Sequence, residues 1–208
     1  MRKTVSLALL LMIATTSMAQ QMKDYFRQMP DKILPLLTTN NRLDMVDFLD
    51  SNMKAEVRNI FDGTSELTTL TDEYLFLQLT EASHVEMRLL ETTEPVDSSH
   101  TIICIVNTAG VSAQESVVRF YSAQWRQLPA ETYLTIPPLT ACPSSMDNAT
   151  HTELCALLQP PFIVAALSAQ SPTLTLSLHP QNVPTDKQEA LQQLLSPTVL
   201  QWNGASFR

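Results

Sequence analysis

Glycine is nearly missing from this chain. Gly63, Gly110 and Gly204 are its whole complement in 208 residues, where an average composition would supply about a dozen. Loops that cradle phosphate and the sharp turns that present a nucleophile depend on clustered glycine. The usual nucleotide-binding and hydrolase motifs therefore have no material here. Basic residues are also scarce: 13 Lys and Arg stand against 21 Asp and Glu, a formal charge of −8. Nucleic acid and anionic membrane surfaces are recognised through clustered Lys and Arg, so neither is expected as a partner. Beyond the first twenty residues no apolar run is long enough to span a bilayer, and no transmembrane segment is expected in the mature chain.

What is present begins with "MRKTVSLALLLMIATTSMAQ". Arg2 and Lys3 form a basic start, Val5 to Ala14 an apolar run, and Ser17-Met18-Ala19 a cleavage site before Gln20. Residues 1–19 read as a signal peptide. No cysteine follows the cleavage point, so a lipoprotein is not expected. The chain is expected to be exported, to the periplasm or the outer envelope. Losing Arg2 and Lys3 makes the mature chain more acidic still.

Three cysteines in an exported chain raise the disulfide question. Cys104 lies within "TIICIV", a run apolar on both faces, and reads as a buried, inert thiol. Cys142 and Cys155 flank a Pro/Ser/Asn loop that a bond could close, worth about 3 kcal/mol if unstrained. A bonded pair and two free thiols both remain open. "HTELC" also sets His151 and Cys155 at a spacing that can bind zinc, with Cys142 as a third ligand. The oxidising compartment favours a disulfide over thiolates, and no metal or cofactor site is expected.

Hydrophobic periodicity divides the chain. Residues 20–128 hold helices and then an antiparallel sheet. A long helix is expected from about Arg42 to Phe61, capped by Asn41. "YLFLQLT" places Leu75, Leu77 and Leu79 on one face. "HVEMRLL" places Val85, Met87 and Leu89 inward, with His84, Glu86 and Arg88 outward; "SVVRFYS" puts Val118 and Phe120 together. Histidines 84, 100 and 179 read as surface residues, and Trp125 and Trp202 as core anchors. Prolines then mark a connection at 129–149. Residues 150–208 form a smaller mixed α/β part, and 20–208 as one continuous domain is the alternative. Asn203-Gly204 calls for a two-residue type I′ turn pairing Trp202 with Ala205 and Leu200 with Phe207.

The stretch "NNRLDMVDFLDSNMKAEVRN" is richest in potential chemistry. Wound as a helix, it gathers Asp44, Asp47, Ser51, Lys54 and Arg58 opposite an arc of Met45, Leu49, Met53, Val57 and Ile60. Asp50 and Lys54 then make an i,i+4 pair. This solvated-face reading is preferred to a carboxylate metal site, which would need ligands from elsewhere. It is also preferred to an S-x-x-K nucleophile, whose serine belongs at a helix start.

The chain resembles an exported Bacteroidales family grouped as domain of unknown function 3256. The matching stretches are "MPDKILPLLTTNNRLDMVDFLDSNMKAEVRN", "SELTTLTDEYLFLQLTEASHVEMRLL", "VVRFYSAQW" and "WNGASF". The resemblance implies export in such a bacterium and carries no catalytic residues across. The expected fold is α+β: N-terminal helices on an antiparallel β-meander, then a smaller mixed part ending in a β-hairpin. The expected function is a non-enzymatic periplasmic or envelope-associated module that binds an unknown protein or envelope component. The alternatives are a hydrolase whose acidic site assembles only in the fold, and an inhibitor-type binder of a cationic partner.

Overall fold

The computed structural model describes residues 21–111, 114–139, 147–181 and 183–208. Two short helices come first, α1 (Met22–Gln28) and α2 (Thr39–Asp50). Thr38 caps α2, accepting the Asn41 amide while the Asn41 side chain reaches back to the Thr38 amide. Seven strands follow: β1 (Glu56–Arg58), β2 (Thr64–Leu70), β3 (Tyr74–Thr80), β4 (Ser83–Val96), β5 (Ser99–Ala109), β6 (Glu115–Ser122) and β7 (Gln127–Leu128). Each pairs antiparallel with the next, giving the expected meander.

The long helix starts three residues before the expected Arg42 and stops at Asp50, well short of Phe61. Asn52 adopts a left-handed backbone (φ 54°), and the chain turns at 51–53 and re-enters as β1. Asparagine tolerates that conformation better than most residues, so Ser51-Asn52 works as a helix stop that the periodicity concealed. Ala55 is buried beneath β1, whereas Met53 and Ile60, placed on the apolar arc of a helix, are half-exposed.

One face of the sheet carries α1, α2 and the turns between them. Leu75, Leu77, Val85 and Met87 meet Phe26, Leu37 and Met45 there. Arg42, expected on the helix but not in the core, is fully buried. Its guanidinium donates to the carbonyls of Phe26, Leu37 and Met29 and pairs with Asp31 at 2.9 Å. It thereby ties down the α1–α2 connection, whose main-chain acceptors would otherwise be buried unpaired.

The second face is covered by a three-stranded antiparallel sheet, β8 (Ile163–Leu167), β9 (Thr173–Leu178) and β10 (Thr198–Gln201), in the order β10-β9-β8. Helices α3 (Ala130–Tyr133), α4 (Asn148–Ala156) and α5 (Gln188–Leu194) flank it. This second layer corrects the reading of β4. Glu86 and Arg88 do not face solvent: they are 6% and 3% exposed, because β8 lies across them. His84 is half-buried, stacked on Phe76 at 5.0 Å, and burial pushes its pKa down.

Side chains of the large sheet take the place of a neighbour for β8. The Leu167 amide, pointing away from β9, donates to the Glu86 carboxylate at 2.7 Å, and the Tyr74 hydroxyl donates to it at 3.0 Å. The Ala165 amide donates to the Ser116 hydroxyl at 2.9 Å. Arg88 donates to the Ser168 carbonyl at 2.7 Å and to Glu73 at 3.1 Å. Between the layers lie Cys104, Phe120, Leu174, Leu176 and Phe207.

The C-terminal turn is wider than expected. Trp202 bridges Phe207, and Gln201 exchanges main-chain bonds with Arg208. Four residues rather than two make the turn, because the Asn203 side chain accepts from both the Ala205 and Ser206 amides, the local geometry of an Asx turn. Trp202 is held by its ring N–H on the Glu91 carbonyl at 2.6 Å.

Candidate functional site

The aspartates around position 50 are not gathered into a site. Asp47 and Asp50 lie 2.8 and 3.7 Å from Arg27 of α1, and Asp44 is exposed. Lys54 pairs with Glu56 and Glu66 instead of Asp50, since it has left the helix. Ser51 sits at the end of α2, not at a helix start. Among the described residues no group of three His, Cys, Asp or Glu stands close enough to hold a metal ion. On α4 the Cys155 thiol lies 3.4 Å from the His151 ring. Cys142 falls outside the described residues, and with it the Cys142–Cys155 pairing and the third zinc ligand. Cys104 is buried in the core between the sheets, and burial pushes its thiol pKa well up.

Acidic residues do converge elsewhere. An open hollow of 980 Å³ between α1 and β4 is lined by Asp24, Asp72, Glu73 and Glu91 with His100. Several of these groups already serve the fold. Asp24 accepts the Gln21 amide at the start of α1, Glu73 holds Arg88, and His100 bonds the Thr92 carbonyl at 2.8 Å.

The most apolar concavity is a groove where the two sheets diverge. One part, 420 Å³, is bounded by β6, α3 and β8; Val118, Leu134, Ile136 and Leu176 line it. A second part, 260 Å³, continues toward α4 past Leu139, Leu158 and Cys155. Ile136, Pro161 and Ile163 belong to both. Proline shapes its walls. Pro129 precedes α3, and Pro137 and Pro138 hold the following run extended, since proline fixes φ and the residue before it avoids the helical region. Ile136, half-exposed at 52%, projects from that run.

One wall of the groove is an open strand edge. β7 pairs with β6 only at Phe120 and Tyr121, so Glu115–Arg119 has β5 on one side and, among the described residues, no strand on the other. The Ser122 amide donates toward β7, to Arg126; by antiparallel alternation the main-chain groups of Val118 and Ser116 point the same way. They have no main-chain partner among the described residues. Glu115 and Glu131, both exposed, stand at the rim. Arg119 and Lys32 line a hollow on the helix side of β6 that shares Glu115 and Val117 with this groove. No sequence motif announces this groove; the proline cluster was its only visible trace.

Geometry of this kind defines an α+β domain of two stacked antiparallel sheets with an apolar groove between them. A family model described as Protein of unknown function (DUF3256) matches residues 14–207, and the chain belongs to that family. A domain of an uncharacterized protein from Porphyromonas gingivalis W83 has a similar structure, with TM-score 0.72 and 23% identity over 88% of this chain and 95% of that one. That likeness speaks for the fold alone. No curated protein matches. Among the described residues no helix is long and apolar enough to cross a membrane.

Proposed function

We propose that the chain is an exported, non-enzymatic binding module of the periplasm or envelope, and that it holds a segment of its partner in the groove between β6, α3 and β8. The observation that carries this reading is the groove itself: an apolar channel beside a strand edge that has no partner strand among the described residues, with few polar groups converging on it. Concave apolar sites with a few placed polar groups are the usual form of a binding site. Export rests on the leader-like first 19 residues.

The test is photo-crosslinking in the native cell. A crosslinker at Ile136 should capture a defined partner that one at Val199, equally exposed on β10, does not. Identical products from both positions would refute the groove. Export is checked by N-terminal sequencing, which should begin at Gln20; an intact leader in the cytoplasmic fraction would refute it. The hydrolase alternative would use the acidic hollow beside α1. It is the weaker reading, because Asp24 and Glu73 are already engaged in holding α1 and Arg88.

A further inference from the structure

The groove's walls specify the kind of ligand more closely than its apolarity does. We infer that it takes an extended peptide segment, added as a strand to the open edge of β6. This rests on the groove being a binding site.

Three features of the site point to a strand rather than an acyl chain. First, the edge supplies main-chain donors and acceptors at Ser116 and Val118, facing the groove with no main-chain partner among the described residues. An acyl chain would leave these groups unbonded, whereas a peptide backbone satisfies them. Second, the open run from Glu115 to Arg119 spans about 16 Å at strand rise, the length of a short peptide segment. β7 and α3 stop its extension at one end. Third, side chains alternate along a strand. Those on one face would enter the channel against Leu134, Ile136 and Leu176, and those on the other would face the helix-side hollow of Lys32, Glu115 and Arg119.

Glu115 lines both the channel and the helix-side hollow, where Arg119 and Lys32 also stand, and Glu131 lines the channel. Charges of both signs flank the edge, so main-chain bonding rather than charge selects the ligand.

The experiment uses the mature protein and three probes: an acetylated eight-residue peptide of alternating valine and lysine, the same peptide with glutamate for lysine, and dodecylamine. Binding is followed by displacement of the dye ANS and by amide NMR shifts. The valine–lysine peptide should bind and shift the Ser116 and Val118 amides. N-methylation of the alternate peptide amides that face β6 should weaken it at least tenfold, while N-methylation of the other set should not. The glutamate peptide should bind with the same dependence on which amides are methylated, since the contacts are made by the main chain. Ile136→Asp, a change at an exposed position, should abolish binding without altering the melting temperature.

Equal binding by both N-methylated forms, or binding by dodecylamine with none by either peptide, would overturn the strand while leaving the groove as a binding site. No binding by any of the three probes would overturn both the strand and the groove.

Discussion

Replacing Glu86 should expose how the two sheets are joined. Its carboxylate is buried and accepts the Leu167 amide from β8 and the Tyr74 hydroxyl from β3. Truncation in Glu86→Ala orphans a buried amide and a buried hydroxyl, each worth about 1–3 kcal/mol, and opens a small cavity. Relief from burying a charge offsets part of this. A net loss of about 3 kcal/mol is expected, read as a shift in urea midpoint at unchanged m-value. Glu86→Gln keeps an oxygen for Leu167, and the Tyr74 hydroxyl can accept from its amide, so it should cost about 1 kcal/mol or less.

The pH dependence separates the two effects. Burial raises the Glu86 pKa above its ordinary value of 4.5, and the bonds from Leu167 and Tyr74 only partly oppose it. The folded chain therefore holds this proton more tightly than the unfolded chain. Its stabilising contribution is complete below the ordinary value and fades as pH rises through the raised one. Asp31, Asp97 and Asp147 have lowered pKa values and favour the opposite trend. The difference between wild type and Glu86→Gln isolates the one group: wild type should lose stability relative to Gln as pH rises from about 4.5. An unchanged slope in Gln, or a cost below about 0.5 kcal/mol in Ala, would refute the account.

Gly204→Ala should lose about 1–2 kcal/mol in thermal melts, because Gly204 has φ +89° and an added Cβ would sit 2.9 Å from the Thr93 methyl; Thr93→Ala should recover only the steric part. Arg42→Ala should cost about 3–5 kcal/mol by urea titration, and Arg42→Lys should rescue little, since one ammonium cannot reach the acceptors that the guanidinium spans. Asn52→Val should destabilise by about 1 kcal/mol and Asn52→Gly should not, a difference that disappears if Asn52 were still helical. Under reducing conditions a maleimide should label Cys155 and leave Cys104 untouched until the chain unfolds, as burial of Cys104 requires.

Strand alternation made the helix-facing side of the large sheet legible: Leu75, Leu77, Val85 and Met87 are where their spacing puts them. The same alternation placed Glu86 and Arg88 in solvent, because a period of two separates the faces of a strand without saying whether a later segment will cover the second. That cover comes from β8, some eighty residues downstream. The helix boundary failed for a local reason: Met53, Val57 and Ile60 continue the helical spacing by coincidence across a left-handed Asn52. The solvated reading of Asp44, Asp47 and Asp50 holds on a shorter helix with a different cation, Arg27. The groove could not be read in advance, since Val118, Ile136 and Ile163 converge only once both sheets are stacked.

The way β8 is finished bears on how the protein resists polymerising. Terminal strands invite a second copy to zip on and propagate fibres. Here the rim of the smaller sheet is stoppered by Ser116 and Glu86, which occupy the amides of Ala165 and Leu167 that an incoming chain would need. Erosion of either stopper would cost colloidal stability, even where the molecule still folds.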